Sequence, residues 1–448
     1  MITMKEKFCP MNPFRLAVII IKSVLCLPRT GKLWILHILF FPLHLIFCHK
    51  ILFKSYNIRL KKSLEELGIV FIKLGQSLSL KSFFFTQETL KTLSYLQDNV
   101  TPSKLEINKY LHKHQPNLFQ NKTFKINTTP IACASVAQVY SGFLDGKKIA
   151  IKVLKPNAHK QIHRDFAIIK FLGKIVSKFV SPVLQVNDVI NNVYENILVE
   201  ANFIMEAKNL KKIRENIIFD SICVPKVYEN YSCNCVLVMS FEEGISLKKI
   251  IHGNYGYNKR KIAENVIETY LNQVYRDGFF HADMHSGNIL VKEDLSLVLL
   301  DFGLISKIEN SDRIAVATMI YAFSKQNIDL ILETQLNAGY ICQDVFTNYA
   351  YRVAMQKLAL NFLSHSGFKM SDFSRELFLV MEKFQVLIPK KLLLLNKTMI
   401  YIEDICHQLD PSLNPLSIIN PWISNWYKKQ KIKGFFVKFK GFIEAIFE

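Results

Sequence analysis

The residues best suited to chemistry lie in one stretch: His281-Ala282-Asp283-Met284-His285-Ser286-Gly287-Asn288, two apolar runs, then Asp301-Phe302-Gly303. Asn288 follows Asp283 by five positions, and Asp301 follows Asn288 by thirteen. Phosphoryl transfer is mostly positioning and charge neutralisation. One carboxylate meets the acceptor hydroxyl, while an amide and a second carboxylate hold magnesium against the phosphates. Asp283 is therefore the candidate base, and Asn288 and Asp301 are the candidate Mg2+ ligands. A set of metal-hydrolase ligands, His281, Asp283 and His285, is the competing reading. It gives Asn288 and Asp301 no task.

The elements between these residues must hold the spacing. Ile289-Leu290-Val291 and Leu297-Val298-Leu299-Leu300 have strand length and flank the polar turn Lys292-Glu293-Asp294, which predicts a hairpin. A kinase also needs a strand lysine for the α- and β-phosphates of ATP, and a helix glutamate to hold that lysine. Ala150-Ile151-Lys152 lies on a strand-like run entered through Asp145-Gly146, a strong hairpin signal. Lys152 is the candidate. From Glu195 to Asn209 the chain reads as one helix, and on it Glu206 is the candidate partner; a solvated helix glutamate is the plain alternative. The phosphate-covering loop should be glycine-rich. Its place is taken by Ala132-Cys133-Ala134-Ser135-Val136-Ala137-Gln138, followed by Val139. Alanine allows close approach but takes φ > 0 less cheaply than glycine, so this loop should be stiffer. Val236-Leu237-Val238-Met239 reads as a buried strand running into a polar hinge at Glu242-Glu243-Gly244, suited to an adenine ring.

With these motifs placed, the chain resembles the UbiB/AarF family of atypical kinase-like proteins. Lys73-Leu74-Gly75-Gln76 matches the family's Lys-x-Gly-Gln motif, and Ala132-Cys133-Ala134-Ser135 matches its alanine-rich loop. Glu200-Ala201-Asn202 matches its Glu-x-Asp element with Asn for Asp, and Ser286 stands where the family usually has proline. The likeness runs from about Leu60 to His407. It implies an α+β, bilobal protein-kinase-like fold: a small β-rich N-lobe, a helical C-lobe and an N-terminal helical extension. The extension would cover the active site, with Lys73, Gln76, Glu200 and Asn202 shaping the nucleotide site. The resemblance also implies an ATP- and Mg2+-dependent phosphotransferase or ATPase supporting ubiquinone biosynthesis at a membrane, with quinone-pathway enzymes or a polyprenyl lipid as partners. The rivals are a non-catalytic, ATP-gated lipid-binding scaffold and a small-molecule kinase. The hydroxylase label that some relatives carry has no support, since no flavin fingerprint or clustered iron ligands are present.

Physical patterning places Leu64, Leu67, Phe71, Leu74 and Leu78 at helical spacing, with Gly75 a poor interior residue that close packing would explain. The expected division is a membrane-associated segment over 1–55, the helical extension over 56–125, the N-lobe over 126–245, the C-lobe over 246–420 and a basic amphipathic tail over 421–448. From about Arg313 to Leu413 the apolar patterns are helical.

The 448 residues are half hydrophobic and carry a net charge of +20, which calls for an anionic partner. No nucleic-acid-binding motif is present, so an anionic membrane surface is the expected one. The run from Leu33 to Cys48 contains His37, Pro42 and His44 and is short for a spanning helix. Burial as a helical cap is its alternative. Phe435, Phe436, Phe439, Phe442, Ile443 and Ile446 share a helical face beside several lysines, as in an interfacial helix. Bacterial relatives typically end in a transmembrane hairpin; the expectation for these residues is peripheral attachment without one. The expected location is the cytoplasmic face of the inner cell membrane, peripheral or partly embedded. Nine scattered cysteines, an odd count without a Cys-x-x-Cys pair, read as reduced packing residues.

Overall fold

Asp145 and Gly146, at φ +50° and +72°, turn one eight-residue strand back upon the next. A tight hairpin needs this left-handed backbone at both central positions. The computed structural model describes residues 55–79, 88, 89, 92, 105–134, 136–176, 186–216, 222–363, 369–386 and 389–430. The apolar segments of the first 54 residues, Ser135 and the tail from 431 lie outside them. The chain forms two compact units: one up to Lys208 together with Val227–Phe241, the other Asn209–Lys226 together with the chain from Glu242.

The first unit holds a five-stranded antiparallel sheet of β1 (Lys125–Ile126), β2 (Ala132–Cys133), β3 (Ala137–Leu144), β4 (Lys147–Leu154) and β5 (Val236–Ser240). Its order is β1-β3-β4-β5, with β2 also paired to β3. Side chains alternate across a strand. Ile149, Ile151 and Val153 therefore share one face of β4, where they pack with Tyr140, Leu144, Val236 and Val238 beneath Ile107 and Leu111. The intervening Lys152 is turned to the other face. Before the sheet come α1 (Tyr56–Leu67) and α2 (Ile69–Ser79), then α3 (Ile107–His114), which supplies the apolar cover. α4 (Ala158–Val176) and α5 (Val186–Glu200) pack against each other and against α2. α6 (Phe203–Asn216) begins in this unit.

Two expected continuous helices are each broken. The heptad-like leucines from Leu64 to Leu78 are divided at Gly68, whose φ of +100° ends α1. Glycine takes that backbone without a Cβ penalty. The single helix expected from Glu195 to Asn209 is cut at Ala201-Asn202. Asn202 Oδ1 accepts from the backbone N–H groups of Ile204 at 3.2 Å and Met205 at 3.4 Å, so it caps α6. Glu200 and Glu206 consequently sit on different helices.

The second unit has a four-stranded sheet in which Ile222–Cys223, β9 (Leu297–Leu299), β8 (Ile289–Val291) and β6 (Ile245–Ser246) are neighbours in that order, and a two-stranded ribbon of β7 (Phe279–His281) and β10 (Ile305–Lys307). The β8–β9 hairpin pairs Val291 with Leu297 and Ile289 with Leu299. Its helices include α7 (Leu247–His252), α8 (Lys259–Leu271), α9 (Asn310–Ser324), α10 (Ile328–Asn337), α11 (Tyr349–Leu363), α12 (Met370–Lys383) and α13 (Lys390–Leu409). Phe323, Leu332, Tyr351, Met355, Phe362 and Met381 form a core shared by α9 to α12. α8 runs through a π-helical turn, Asn272–Asp277, and ends at Gly278, φ +68°. A Cβ there would stand 3.0 Å from the Ile308 carbonyl oxygen, so glycine is required where the chain enters β7. No described helix is long and apolar enough to cross a membrane.

Candidate active site

In the first unit, the β4 face opposite the core presents Lys152, only 7 % exposed. Its Nζ lies 2.8 and 2.9 Å from the two carboxylate oxygens of Glu206, which is 2 % exposed, and 5.4 Å from the centre of the Phe203 ring. A lysine without partners would pay heavily for this burial; here the glutamate and the ring face the ammonium together. Lys73 Nζ donates to Glu200 Oε1 at 2.6 Å, so α2 and the end of α5 are joined by a second, more exposed pair. Asn202 is occupied as the cap of α6. Gln76 lies on α2.

The alanine-rich segment is not one open loop. Ala132 and Cys133 pair with Val139 and Gln138, and Ala137, Gln138 and Val139 belong to β3. Val136, Ala137 and Gln138 are buried, with Gln138 Nε2 3.8 Å from Cys133 Sγ. Ala134 accordingly marks the turn, tied by its N–H to the Ala137 carbonyl at 2.9 Å. None of the described residues in this segment takes a positive φ. The extra strand pairing accounts for a closed turn where a glycine loop would be open.

In the second unit, three backbone and side-chain links weld the Asp283 loop to the Asp301 turn. Ala282 N–H donates to the Leu304 carbonyl at 3.0 Å, and Leu300 N–H to the Asn288 carbonyl at 2.8 Å. The third is His281, whose Nε2 meets the Leu300 carbonyl at 2.9 Å while its Nδ1 accepts the Asp283 N–H at 3.1 Å. Accepting at Nδ1 places the proton on Nε2, so the ring is neutral. Burial lowers its pKa below the ordinary histidine value and favours the same state. Both ring nitrogens are thus occupied in holding the loop, and His281 is no metal ligand. Among the described residues, no group of three or more His, Cys, Asp or Glu side chains is gathered to hold a metal. The metal-hydrolase alternative fails on the occupied imidazole.

Asn288 Nδ2 donates to the Asp283 carbonyl at 3.2 Å, which fixes the amide and directs its oxygen the other way. Asp301 is exposed and sits at φ +57°, a backbone conformation unfavourable for a residue with a side chain. Its Oδ1 accepts from Gly303 N–H at 3.4 Å. Phe302 is fully buried, 5.2 Å from the His281 ring, and its carbonyl accepts from Asn209 Nδ2 at 2.9 Å. Phe302 and Gly303 therefore hold the strained aspartate in place. His285 Nδ1 accepts from Gly287 N–H at 3.1 Å, and its Nε2 stands 3.9 Å from Asp283 Oδ2.

One residue at this site escaped the motif reading. Lys397, on α13, places Nζ 2.9 Å from Asp283 Oδ1. No spacing from Asp283 announces it. The available signal was local: Asn396-Lys397-Thr398 is a polar triplet straight after Leu392-Leu393-Leu394-Leu395.

A strand lysine paired to a helix glutamate, an Asp/Asn loop and an Asp-Phe-Gly turn on a hairpin define the protein-kinase-like class. Residues 95–335 match the ABC1 atypical kinase-like domain, and residues 363–414 match the UbiB helical domain. Proteins named Probable protein kinase UbiB are similar to the chain: that of Aeromonas salmonicida is 31 % identical over 395 residues, covering 84 % of this chain and 71 % of the relative, and that of Shewanella oneidensis has the same identity and coverage. A solved structure titled as the complex of Rv3197 with erythromycin from Mycobacterium tuberculosis covers 78 % of this chain and 90 % of its own, at TM-score 0.54 and 23 % identity, a likeness of fold. The chain belongs to the UbiB family of ABC1 atypical kinase-like proteins.

Proposed function

We propose that this chain binds ATP with Mg2+ and either hydrolyses it or transfers its γ-phosphoryl group, in support of quinone biosynthesis at a membrane. The welded Asp283–Asn288–Asp301 frame carries the reading. Asn288 and Asp301 offer oxygen donors of the hard kind that magnesium takes, and two protein ligands completed by phosphates is its usual mode. They fit the ion. When bound, the ion supplies neutralisation of the phosphate charge. Lys152, aimed by Glu206, would hold the α- and β-phosphates. Asp283 would orient the acceptor hydroxyl or water and accept its proton. His281 would keep that carboxylate's backbone in place without reacting. The closed alanine-rich turn would cover the phosphates with less freedom than a glycine loop, and the Lys73–Glu200 pair would brace the helical cover.

The place of action is proposed on charge and on the family. A net charge of +20 suits an anionic membrane surface at the cytoplasmic face of the inner cell membrane. The partners proposed there are quinone-biosynthesis enzymes or a polyprenyl lipid, not nucleic acid. The test is Mg2+-dependent ATP turnover by the full chain, with and without anionic vesicles, for the native protein and Asp301→Asn. The proposal expects turnover that the substitution abolishes. Binding of ATP with no turnover under any condition would favour an ATP-gated lipid-binding scaffold. Quinone intermediates should accumulate when the protein is lost; normal quinone levels would remove the pathway assignment.

A further inference from the structure

Between Asp283 and Asn288 the loop holds Met284, His285, Ser286 and Gly287, with no permanently cationic side chain. The cation beside Asp283 comes instead from α13, the helix that runs through the UbiB helical domain. Lys397 reaches Asp283 Oδ1 at 2.9 Å with only 15 % of its side chain exposed, and its ammonium lies 5.3 Å from the centre of the Tyr401 ring, one turn along the same helix.

The helix beneath it is fixed by other means. Ile402, Ile405, Cys406 and Leu409 are buried, the buried Tyr270 hydroxyl donates to the Leu395 carbonyl at 3.3 Å, and Ser374 Oγ donates to Asn396 Oδ1 at 2.5 Å. A partly buried ion pair is weak evidence of a stabilising role, because desolvation offsets much of its attraction. α13 has no evident need of it. What the pair does accomplish is to set a positive charge at the carboxylate where acceptor and transferring phosphorus must meet.

We propose that Lys397 is a substrate-contacting residue that binds the γ-phosphoryl oxygens while its link to Asp283 registers the acceptor against them. The inference rests on the phosphoryl-transfer reading of the site. In the step, the acceptor O–H proton passes to the Asp283 carboxylate and the acceptor oxygen forms the new O–P bond. The bond from the γ-phosphorus to the bridging oxygen breaks, and its electron pair leaves with ADP. Lys397 stays protonated throughout. An ammonium has three N–H donors, enough to serve a carboxylate and a phosphoryl oxygen together. Negative charge on the equatorial oxygens is what such a fixed cation stabilises.

The test compares Kd for Mg·ATP and Mg·ADP, by calorimetry, in the native full chain, Lys397→Met and Lys397→Arg. Methionine should weaken Mg·ATP about 10- to 100-fold, the span of a lost charge-assisted bond, and leave Mg·ADP within about twofold. Arginine should restore most of the preference for ATP. Should Lys397→Met misfold by circular dichroism, Lys397→Gln gives the same readout. Equal weakening of both nucleotides, or no change in either, overturns the inference and leaves the nucleotide site standing. Tighter ATP binding or faster turnover in the methionine variant overturns it as well, since the lysine would then be a block. A native chain that binds neither nucleotide brings down the reading of the site itself.

Discussion

Replacing Glu206 by alanine isolates the energetics of the buried Lys152. Lys152 and Glu206 are 7 % and 2 % exposed, and the ammonium meets both carboxylate oxygens within 2.9 Å. At 2.8 Å the Coulomb attraction is about 6 kcal/mol for an effective dielectric of about 20. Desolvation of two ions offsets much of that, so the pair itself adds little net stability. Removing only the carboxylate is different, because an uncompensated ammonium stays buried on the β4 face. The expected cost is about 3–5 kcal/mol, of which the Phe203 ring recovers at most about 2. Amide exchange reads it at Ile149, Ile151 and Val153, whose strand pairs on both sides with β3 and β5. Protection there should fall by about one to three powers of ten in Glu206→Ala. The double variant Lys152→Met/Glu206→Leu should recover most of it. A single variant costing less than about 1 kcal/mol, or a double variant no better than the single, would show that Glu206 does not compensate a buried ammonium.

Two further outcomes concern the titrating groups. Burial holds His281 neutral with its pKa lowered, so its contribution is complete above the unfolded-state value of about 6.5 and is lost as pH falls below that toward the folded value. Thermal unfolding between pH 7 and pH 5 should therefore show a fall in stability that His281→Asn flattens; an identical slope in the two proteins contradicts this. Cys233 and Cys235, expected as packing residues, face each other with sulfurs 3.7 Å apart, and the hydrogen bond from Cys235 draws Cys233 down to about 6. Brief iodoacetamide treatment at pH 7, read by peptide mass spectrometry, should alkylate Cys233 ahead of Cys235; the reverse order would count against that hydrogen bond.

Much of the candidate site was legible because it is local. Asp283, Asn288 and Asp301 owe their spacing to a hairpin whose strands and turn announce themselves in residue type, and Lys152 lies on a strand set off by Asp145-Gly146. The misreadings came where a local choice competed with a periodic one. Gly68 interrupts a leucine pattern that continues on both sides of it, because backbone geometry there outweighs the apolar repeat. Asn202 does the same between Glu200 and Glu206, since a cap satisfies backbone donors that a through-going helix would bond elsewhere. The alanine-rich segment folded partly into β3 because its apolar residues pair as readily as they turn. Lys397 was out of reach for a different reason. It lies more than a hundred positions from Asp283, and only the docking of α13 by Tyr270 and its buried leucine and isoleucine face brings the two together.

A double-mutant cycle on Mg·ATP affinity asks whether Lys152 and Asp301 serve one nucleotide. Lys152→Met and Asp301→Asn should each weaken binding about tenfold or more. If both residues serve one nucleotide, the paired variant should lose less than the two separate losses combined, with a coupling of at least about 0.5 kcal/mol. Unchanged affinity in either single variant, or losses that simply add, would contradict a shared nucleotide site.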